Sequence, residues 1–148
     1  MRWALMTHLL GVVVWVGGMF FAYMALRPAA AQTLQPPERL SLWRATFQRF
    51  FPWVWLAIAF ILTSGFYMIA DMGGFSAVPV NPVLLMLTLG LIMVFIFGHV
   101  YFAAYRKFSR LVNEENWPAA GNALGQIRVL IALNLALGLS IIVLASLG

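Results

Sequence analysis

Long runs of apolar residues, separated by short polar segments, extend over most of the chain. Four of these runs are long enough to cross a bilayer as helices, which takes about 20 apolar residues. They cover residues 3–26, 52–70, 83–105 and 129–147. The pattern therefore predicts an all-α membrane protein in which four transmembrane helices form one bundle, a single domain over residues 1–148.

The segment between the first two runs has the period of an amphipathic helix. Apolar residues recur there at intervals of three or four, at Leu40, Trp43, Phe47 and Phe50, and Pro37 suits the first turn of a helix. We therefore expect an amphipathic interfacial helix in the first cytoplasmic loop, lying at the inner surface and leading into the second span. The segment before the fourth run repeats this pattern more weakly, which is typical of a duplicated hairpin.

Composition supports membrane insertion and removes several kinds of chemistry. Hydrophobic residues make up 64% of the chain and charged residues only 9%, whereas soluble domains contain about 25% charged residues. The absence of cysteine excludes disulfides and thiolate metal sites. The four acidic residues, Glu38, Asp71, Glu114 and Glu115, all lie at or beyond the ends of the predicted spans. No catalytic motif is found, so a hydrolase or an ion-driven pump has little support.

The basic residues predict how the spans are oriented. Eight of the nine lie in the first and third connecting segments, whereas residues 71–82 contain none. By the positive-inside rule, these two segments face the cytoplasm and both termini are periplasmic. Topology in a lipid bilayer thus explains the net charge of +5 without a nucleic-acid partner. The first apolar run is longer than that of a signal peptide, so we expect it to be retained.

Small residues predict a packing face on the first span. Gly11, Gly17 and Gly18 are expected where another helix approaches closely, as small residues commonly are in membranes. His8 falls on the same helical face as Gly11 and Trp15. We therefore expect the His8 ring to point toward protein and not toward lipid.

The chain has two histidines, His8 and His99, and both lie inside predicted spans. A polar side chain at membrane depth indicates a functional site, the alternative being a neutral imidazole hydrogen-bonded to a neighbouring helix. At about 1.5 Å per residue from the outer end of each span, His8 lies about 8 Å deep and His99 about 24 Å deep. Two axial ligands of one haem must lie at nearly the same level, so a single haem held by both histidines of one chain is disfavoured.

The predicted neighbours of His8 are methionines. Met68 of the second span and Met86 of the third lie at its level, and Asp71 with Met72 lies at the outer mouth. Thioethers together with imidazole suit monovalent copper, although methionine is also a common packing residue. The candidate metal ligands are therefore His8, Met68 and Met86, with His99 as a deeper ligand.

The predicted neighbours of His99 are polar. Asn134 of the fourth span lies at its level and is expected to hydrogen-bond the ring. Arg106 lies two turns further along and suits an anionic group such as a haem propionate or a lipid phosphate, unless it only sets the topology. His8, His99, Asn134 and Arg106 are the candidate cofactor-binding residues.

Three longer stretches resemble a known family. "THLLGVVVWVGGMFFAYMALRP", "GHVYFAAYRKF" and "IRVLIALNLALGL" are similar to the small CopD-like integral membrane proteins of copper resistance. This resemblance implies copper uptake or handling at the bacterial inner membrane, and a periplasmic copper protein as a partner. The chain is also distantly similar to HemJ-type haem-associated membrane proteins, whose histidines match His8 and His99. It lacks the lysine of that type's last helix, which argues against protoporphyrinogen oxidation but not against haem b.

Three functions are consistent with these features. The first is a membrane protein that binds or transports copper through intramembrane His and Met ligands. The second is a b-type haem protein that transfers electrons, and the third is a structural subunit of a larger membrane complex or homo-oligomer. The residues alone do not favour copper over haem, or haem over copper. The resemblance to the CopD-like proteins favours copper.

Overall fold

A computed structural model describes residues 1–78 and 80–147, apart from the side chains of residues 80 and 81. This part of the chain contains helices and no strand. The first helical stretch consists of α1 (Arg2–Phe21), a π-helical segment (Ala22–Leu26) and α2 (Arg27–Thr33), and the second is the single helix α3 (Pro36–Asp71). The third consists of α4 (Val80–His99), a second π-helical segment (Val100–Ala104) and α5 (Tyr105–Asn113), and the fourth is α6 (Trp117–Leu147).

Within the described residues, four helical stretches are long and apolar enough to cross a membrane. This finding confirms the predicted all-α architecture of four transmembrane helices. The turns follow from local chemistry, because Pro36 lacks an N–H group and therefore suits the first turn of α3. After α3, Gly73 and Gly74 adopt φ angles of 105° and 87°, which glycine accepts at little cost.

The predicted interfacial helix is the first part of α3 and not a separate element. α3 contains 36 residues, which extend about 54 Å, whereas the hydrocarbon core of a bilayer is about 30 Å thick. Leu40, Trp43 and Phe47 are each at most 6% exposed within the main core. The apolar face of this segment is therefore covered by protein, and its position at the membrane surface stays a prediction.

The two halves of the chain have the same order of segments. α1 and α4 each contain 20 residues, and each leads into a π-helical segment of five residues. The long helices α3 and α6 then begin with proline in the first turn, at Pro36 and Pro118. This order supports the predicted duplicated hairpin. When the two π-helical segments are aligned, His8 pairs with Met86, since each lies 14 residues before its segment.

The helices pack mainly in two pairs, α1 with α3 and α4 with α6. Gly11 lets the first pair approach, because a Cβ there would lie 2.7 Å from Ile61 Cγ1 and 2.9 Å from the Ala57 carbonyl oxygen. A Cβ on Gly18 would likewise collide with an aromatic ring of α3. The predicted packing role of Gly17 is wrong: it is exposed with open space around it, because it lies one helical step away from the contact face.

Aromatic rings fill the bundle at the end where α3 begins. The ring centroid of Phe51 lies 5.0 Å from that of Phe47, 5.2 Å from that of Phe97 and 5.2 Å from that of Tyr105. Eight of the nine basic residues belong to this half of the bundle, which we call the arginine end. The core of the molecule therefore lies toward the arginine end.

Packing is looser at the opposite end, where α3 reaches Asp71 and which we call the Asp71 end. On α4, no described side chain before Met93 is buried, and on α6 no described residue after Gly138 is buried. The four helices thus leave space between them at the Asp71 end.

Candidate functional site

A cavity of about 380 Å³ lies between all four helical stretches at the Asp71 end. Its walls are mostly apolar, and its size lies within the range of about 300–1,000 Å³ that is usual for small-molecule sites. We call it the His8 cavity, because His8 of α1 lines it. The structure thus brings His8 together with two predicted metal ligands, Met68 and Met86, which line the same cavity.

The hydrogen bonds of His8 determine which ring nitrogen carries the proton. Nδ1 lies 3.1 Å from the carbonyl oxygen of Ile61 and 3.1 Å from Oγ of Ser64. Because a carbonyl oxygen only accepts hydrogen bonds, Nδ1 must be the protonated nitrogen. The Ser64 hydroxyl donates to the Phe60 carbonyl, so it too acts as an acceptor toward His8. Nε2 then keeps its lone pair, and it has no hydrogen-bond partner within the described part of the chain.

This tautomer is the one in which many histidines bind metal ions, with Nδ1–H held by a carbonyl group and Nε2 free. The ring is also well placed against α3. A Cβ on Gly65 would lie 3.5 Å from Cε1 of His8 and 3.7 Å from Nδ1, so the imidazole rests directly against the Gly65 backbone. His8 is half-buried, whereas Ala4 and Gly11, one turn to either side, are buried. The ring therefore faces protein, as predicted.

Four methionines line the His8 cavity: the two predicted ligands, Met72, which was expected only at the outer mouth, and Met93. Met72 follows Met68 by four residues on the α3 side, and Met93 follows Met86 by seven on α4. Side chains at these spacings lie on one face of a helix. This spacing was the signal in the sequence that would have added Met72 and Met93 to the cavity wall.

Acidic and imidazole side chains alone do not form a metal site here. In the described residues, no three His, Cys, Asp or Glu side chains lie close enough together to hold a metal ion. A metal ion in the His8 cavity would therefore have a single imidazole ligand and sulfur ligands from methionine.

The structure does not place the His99 side chain inside the bundle. His99 is exposed on the outer side of α4, because Phe97 and Val100 occupy the inward positions at that level. Arg106 is exposed too, and its guanidinium lies 5.4 Å from the ring centroid of Phe102. Neither His99 nor Arg106 lines the His8 cavity, so the structure does not bring them together with His8.

Asn134 is buried as expected for a polar residue inside the bundle, but its predicted contact with His99 is wrong. Its Nδ2 donates to the carbonyl oxygen of Met93 at 3.1 Å. Its Oδ1 is buried and has no hydrogen-bond partner among the residues that the structure describes. Asn134 lines a second cavity of about 20 Å³, which is large enough for about one water molecule.

Three cavities follow one another through the bundle. Trp15 lines both the His8 cavity and the small cavity beside Asn134. Ala22, Phe47 and Ile131 line both the small cavity and a third cavity of about 330 Å³ at the arginine end. Shared walls therefore place the three cavities in a line from the Asp71 end to the arginine end, with Trp15 and Phe47 between them.

Comparison with known proteins identifies the family. The family model described as Copper resistance protein D, CopD, matches residues 44–147. The chain belongs to the CopD family. It is thus a copper-resistance-related, multi-pass membrane protein. No curated protein and no solved structure matches it.

The CopD match begins within α3 and continues to Leu147, the last residue of α6. It therefore includes Met68, Met86 and Asn134, whereas His8 of α1 lies before it. The similarity to the HemJ type stays a resemblance.

Proposed function

We propose that this CopD-family protein binds monovalent copper in the His8 cavity and handles it at the bacterial inner membrane. The observation that carries this proposal is the hydrogen bond from His8 Nδ1 to the Ile61 carbonyl, because it leaves the Nε2 lone pair available on a residue that lines a cavity together with four methionines. The proposed ligand set is His8, Met68 and Met86, and Met72 and Met93, which line the same cavity, are further candidate ligands.

The chemistry of these side chains favours a soft metal ion. Thioether ligands select Cu(I), and imidazole binds it as well. No carboxylate lines the His8 cavity, so Ca²⁺ and Mg²⁺, which require oxygen ligands, have little to bind there. Methionine is unbranched and flexible, so its sulfur atom can move toward a bound ion. The cavity therefore favours Cu(I) among the common cations.

The proposed orientation gives copper an entry side. If the basic segments face the cytoplasm, the His8 cavity opens toward the periplasm, and a periplasmic copper protein is the partner that would deliver the ion. The line of three cavities supports movement of copper, as substrate, further into the bundle. Beyond Trp15, the small cavity is lined by Asn134, whose Oδ1 has no hydrogen-bond partner among the described residues. The side chains of Trp15 and Phe47 must move for an ion to pass.

A competition titration tests the binding step. The full chain, purified in a mild detergent with a reductant, is titrated with Cu(I) against a coloured Cu(I) chelator. We expect His8→Ala and Met86→Leu each to weaken Cu(I) binding at least tenfold, about 1.4 kcal/mol. Met86→Leu preserves side-chain volume and removes only the sulfur. Met24→Leu is the matched control, because Met24 is 55% exposed and does not line the cavity.

The outcome separates the three functions considered for the chain. Unchanged Cu(I) affinity in both His8→Ala and Met86→Leu would contradict the proposed site. A Soret band in the visible spectrum of the purified protein, lost in His8→Ala, would favour the b-type haem alternative. A folded protein that binds neither copper nor haem would favour a structural subunit. His99→Ala shows whether the exposed His99 contributes, and we expect it to bind Cu(I) like the wild type.

A further inference from the structure

The cavity at the arginine end has a composition that copper binding does not explain. It lies between the first helical stretch, α3 and α6, and Arg27, Arg39 and Arg128 line it from these three elements. Its other walls are mainly apolar or glycine, and no acidic residue lines it. Three arginine residues thus line one cavity of about 330 Å³, and no carboxylate lines it to neutralise them.

Other basic residues at this end have different surroundings. Arg44 donates a hydrogen bond to Asn113, and Arg110 lies 3.9 Å from Glu114. Three further basic residues do not line this cavity and are exposed: Arg49, Arg106 and Lys107. Of the cavity arginines, Arg27 and Arg39 are partly buried, and Arg128 is exposed but lines the cavity. An arginine that only marks the membrane boundary extends toward water. The convergence of three arginines from three elements therefore needs another explanation.

The three arginines lack acidic partners. Within the described residues, none of them forms an ion pair. The guanidinium of Arg27 lies 4.4 Å from the ring centroid of Tyr23, and its Nε donates to the carbonyl of the same residue at 3.4 Å. Most of its donors are thus still available, and like charges around one cavity repel one another unless an anion lies between them.

We propose that this cavity binds the phosphate headgroup of an anionic phospholipid. One guanidinium group can donate two parallel hydrogen bonds to two oxygens of the same phosphate, because its N–H donors lie in one plane. Basic pockets between transmembrane helices are known binding sites for anionic headgroups. The apolar walls favour a lipid over free phosphate, because a glycerol backbone and the start of an acyl chain would cover them. On α6, the positions of Gly121 and Gly125 have open space where a Cβ would lie, which leaves that wall flat.

Lipid retention tests the proposal on the full chain. The protein is delipidated in a neutral detergent and titrated with dioleoyl phosphatidylglycerol, dioleoyl phosphatidylcholine or inorganic phosphate, and bound molecules are counted by native mass spectrometry. We expect phosphatidylglycerol to bind most tightly. The double variant Arg39→Gln/Arg128→Gln should bind it about 25-fold more weakly, about fivefold for each arginine. Arg106→Gln/Arg110→Gln loses the same charge outside the cavity and should bind like the wild type.

A second variant keeps all the charges and fills the space. Gly125→Leu places a side chain in the cavity, where nothing lies within 4 Å of the new Cβ. We expect it to lose phosphatidylglycerol binding although its three arginines remain. This variant also tests the proposal if the double arginine variant does not fold. Equal retention of phosphatidylglycerol and phosphatidylcholine, equal weakening by the two double variants, or tighter binding of inorganic phosphate than of lipid would each overturn the proposal.

Discussion

Alanine at position 11 should weaken the contact between α1 and α3 and, with it, the His8 site. The new Cβ would lie 2.7 Å from Ile61 Cγ1 and 2.9 Å from the carbonyl oxygen of Ala57. The Ile61 side chain can rotate away, but the carbonyl belongs to the backbone of α3. The two helices must therefore move apart, and strain of this kind costs about 1–3 kcal/mol.

The same displacement reaches the imidazole. His8 lies three residues before Gly11 on the same face, and its Nδ1 bonds to the Ile61 carbonyl at 3.1 Å. We expect Gly11→Ala to lower the free energy of unfolding by about 2 kcal/mol, measured by reversible unfolding in mixed SDS micelles, and to weaken Cu(I) binding at the proposed site. Gly17→Ala is the matched control, since its Cβ meets nothing within 4 Å. Equal unfolding midpoints for the two variants would refute the reasoning.

Two further substitutions test other parts of the bundle in the same unfolding assay. Gly73→Ala should lower the free energy of unfolding by about 1–3 kcal/mol. The φ angle of residue 73 is 105°, and the new Cβ would lie 2.9 Å from the Cβ of Ala77. Stability equal to that of the wild type would contradict this turn geometry. Asn134→Leu should change stability by no more than about 1 kcal/mol, because it removes an unpaired oxygen along with one hydrogen bond. Asn134→Asp should cost about 3–5 kcal/mol at neutral pH, because a carboxyl buried in the bundle without a cation must either take up a proton or carry an uncompensated charge. Similar midpoints for these two variants would contradict the burial of residue 134.

The number and type of helices could be predicted from the sequence because a bilayer demands about 20 consecutive apolar residues for each span. The orientation of the His8 ring toward protein was predictable as well, because Gly11 and Trp15 lie on the same helical face and indicate a contact with another helix. The position of His99 was not predictable in this way. Counting residues gives a depth along the helix, but it does not say which side of the helix faces lipid.

Other features depend on contacts between elements that are distant in the sequence. The bond from Asn134 to the Met93 carbonyl joins two helices, and no local pattern indicates it. Arg27, Arg39 and Arg128 are separated along the chain, and in the sequence each is explained by topology alone. Only the packing of the first helical stretch, α3 and α6 places them around one cavity. The two π-helical segments likewise have no sequence signal that we recognise. They nevertheless lie at equivalent positions in the two halves of the chain.

The size of the His8 cavity restricts what can occupy it. A sealed apolar void of 380 Å³ would cost about 9 kcal/mol at 24 cal/mol per Å³, which is comparable to the whole stability of a typical domain. The cavity must therefore be open to lipid chains or filled when the protein is in a membrane. A copper ion fills little of this volume, so the methionine side chains have to turn inward to reach it. Their flexibility suits that movement, whereas the imidazole of His8 is already fixed by Ile61 and Ser64. One rigid nitrogen ligand with several mobile sulfur ligands is an arrangement that can accept an ion and also release it.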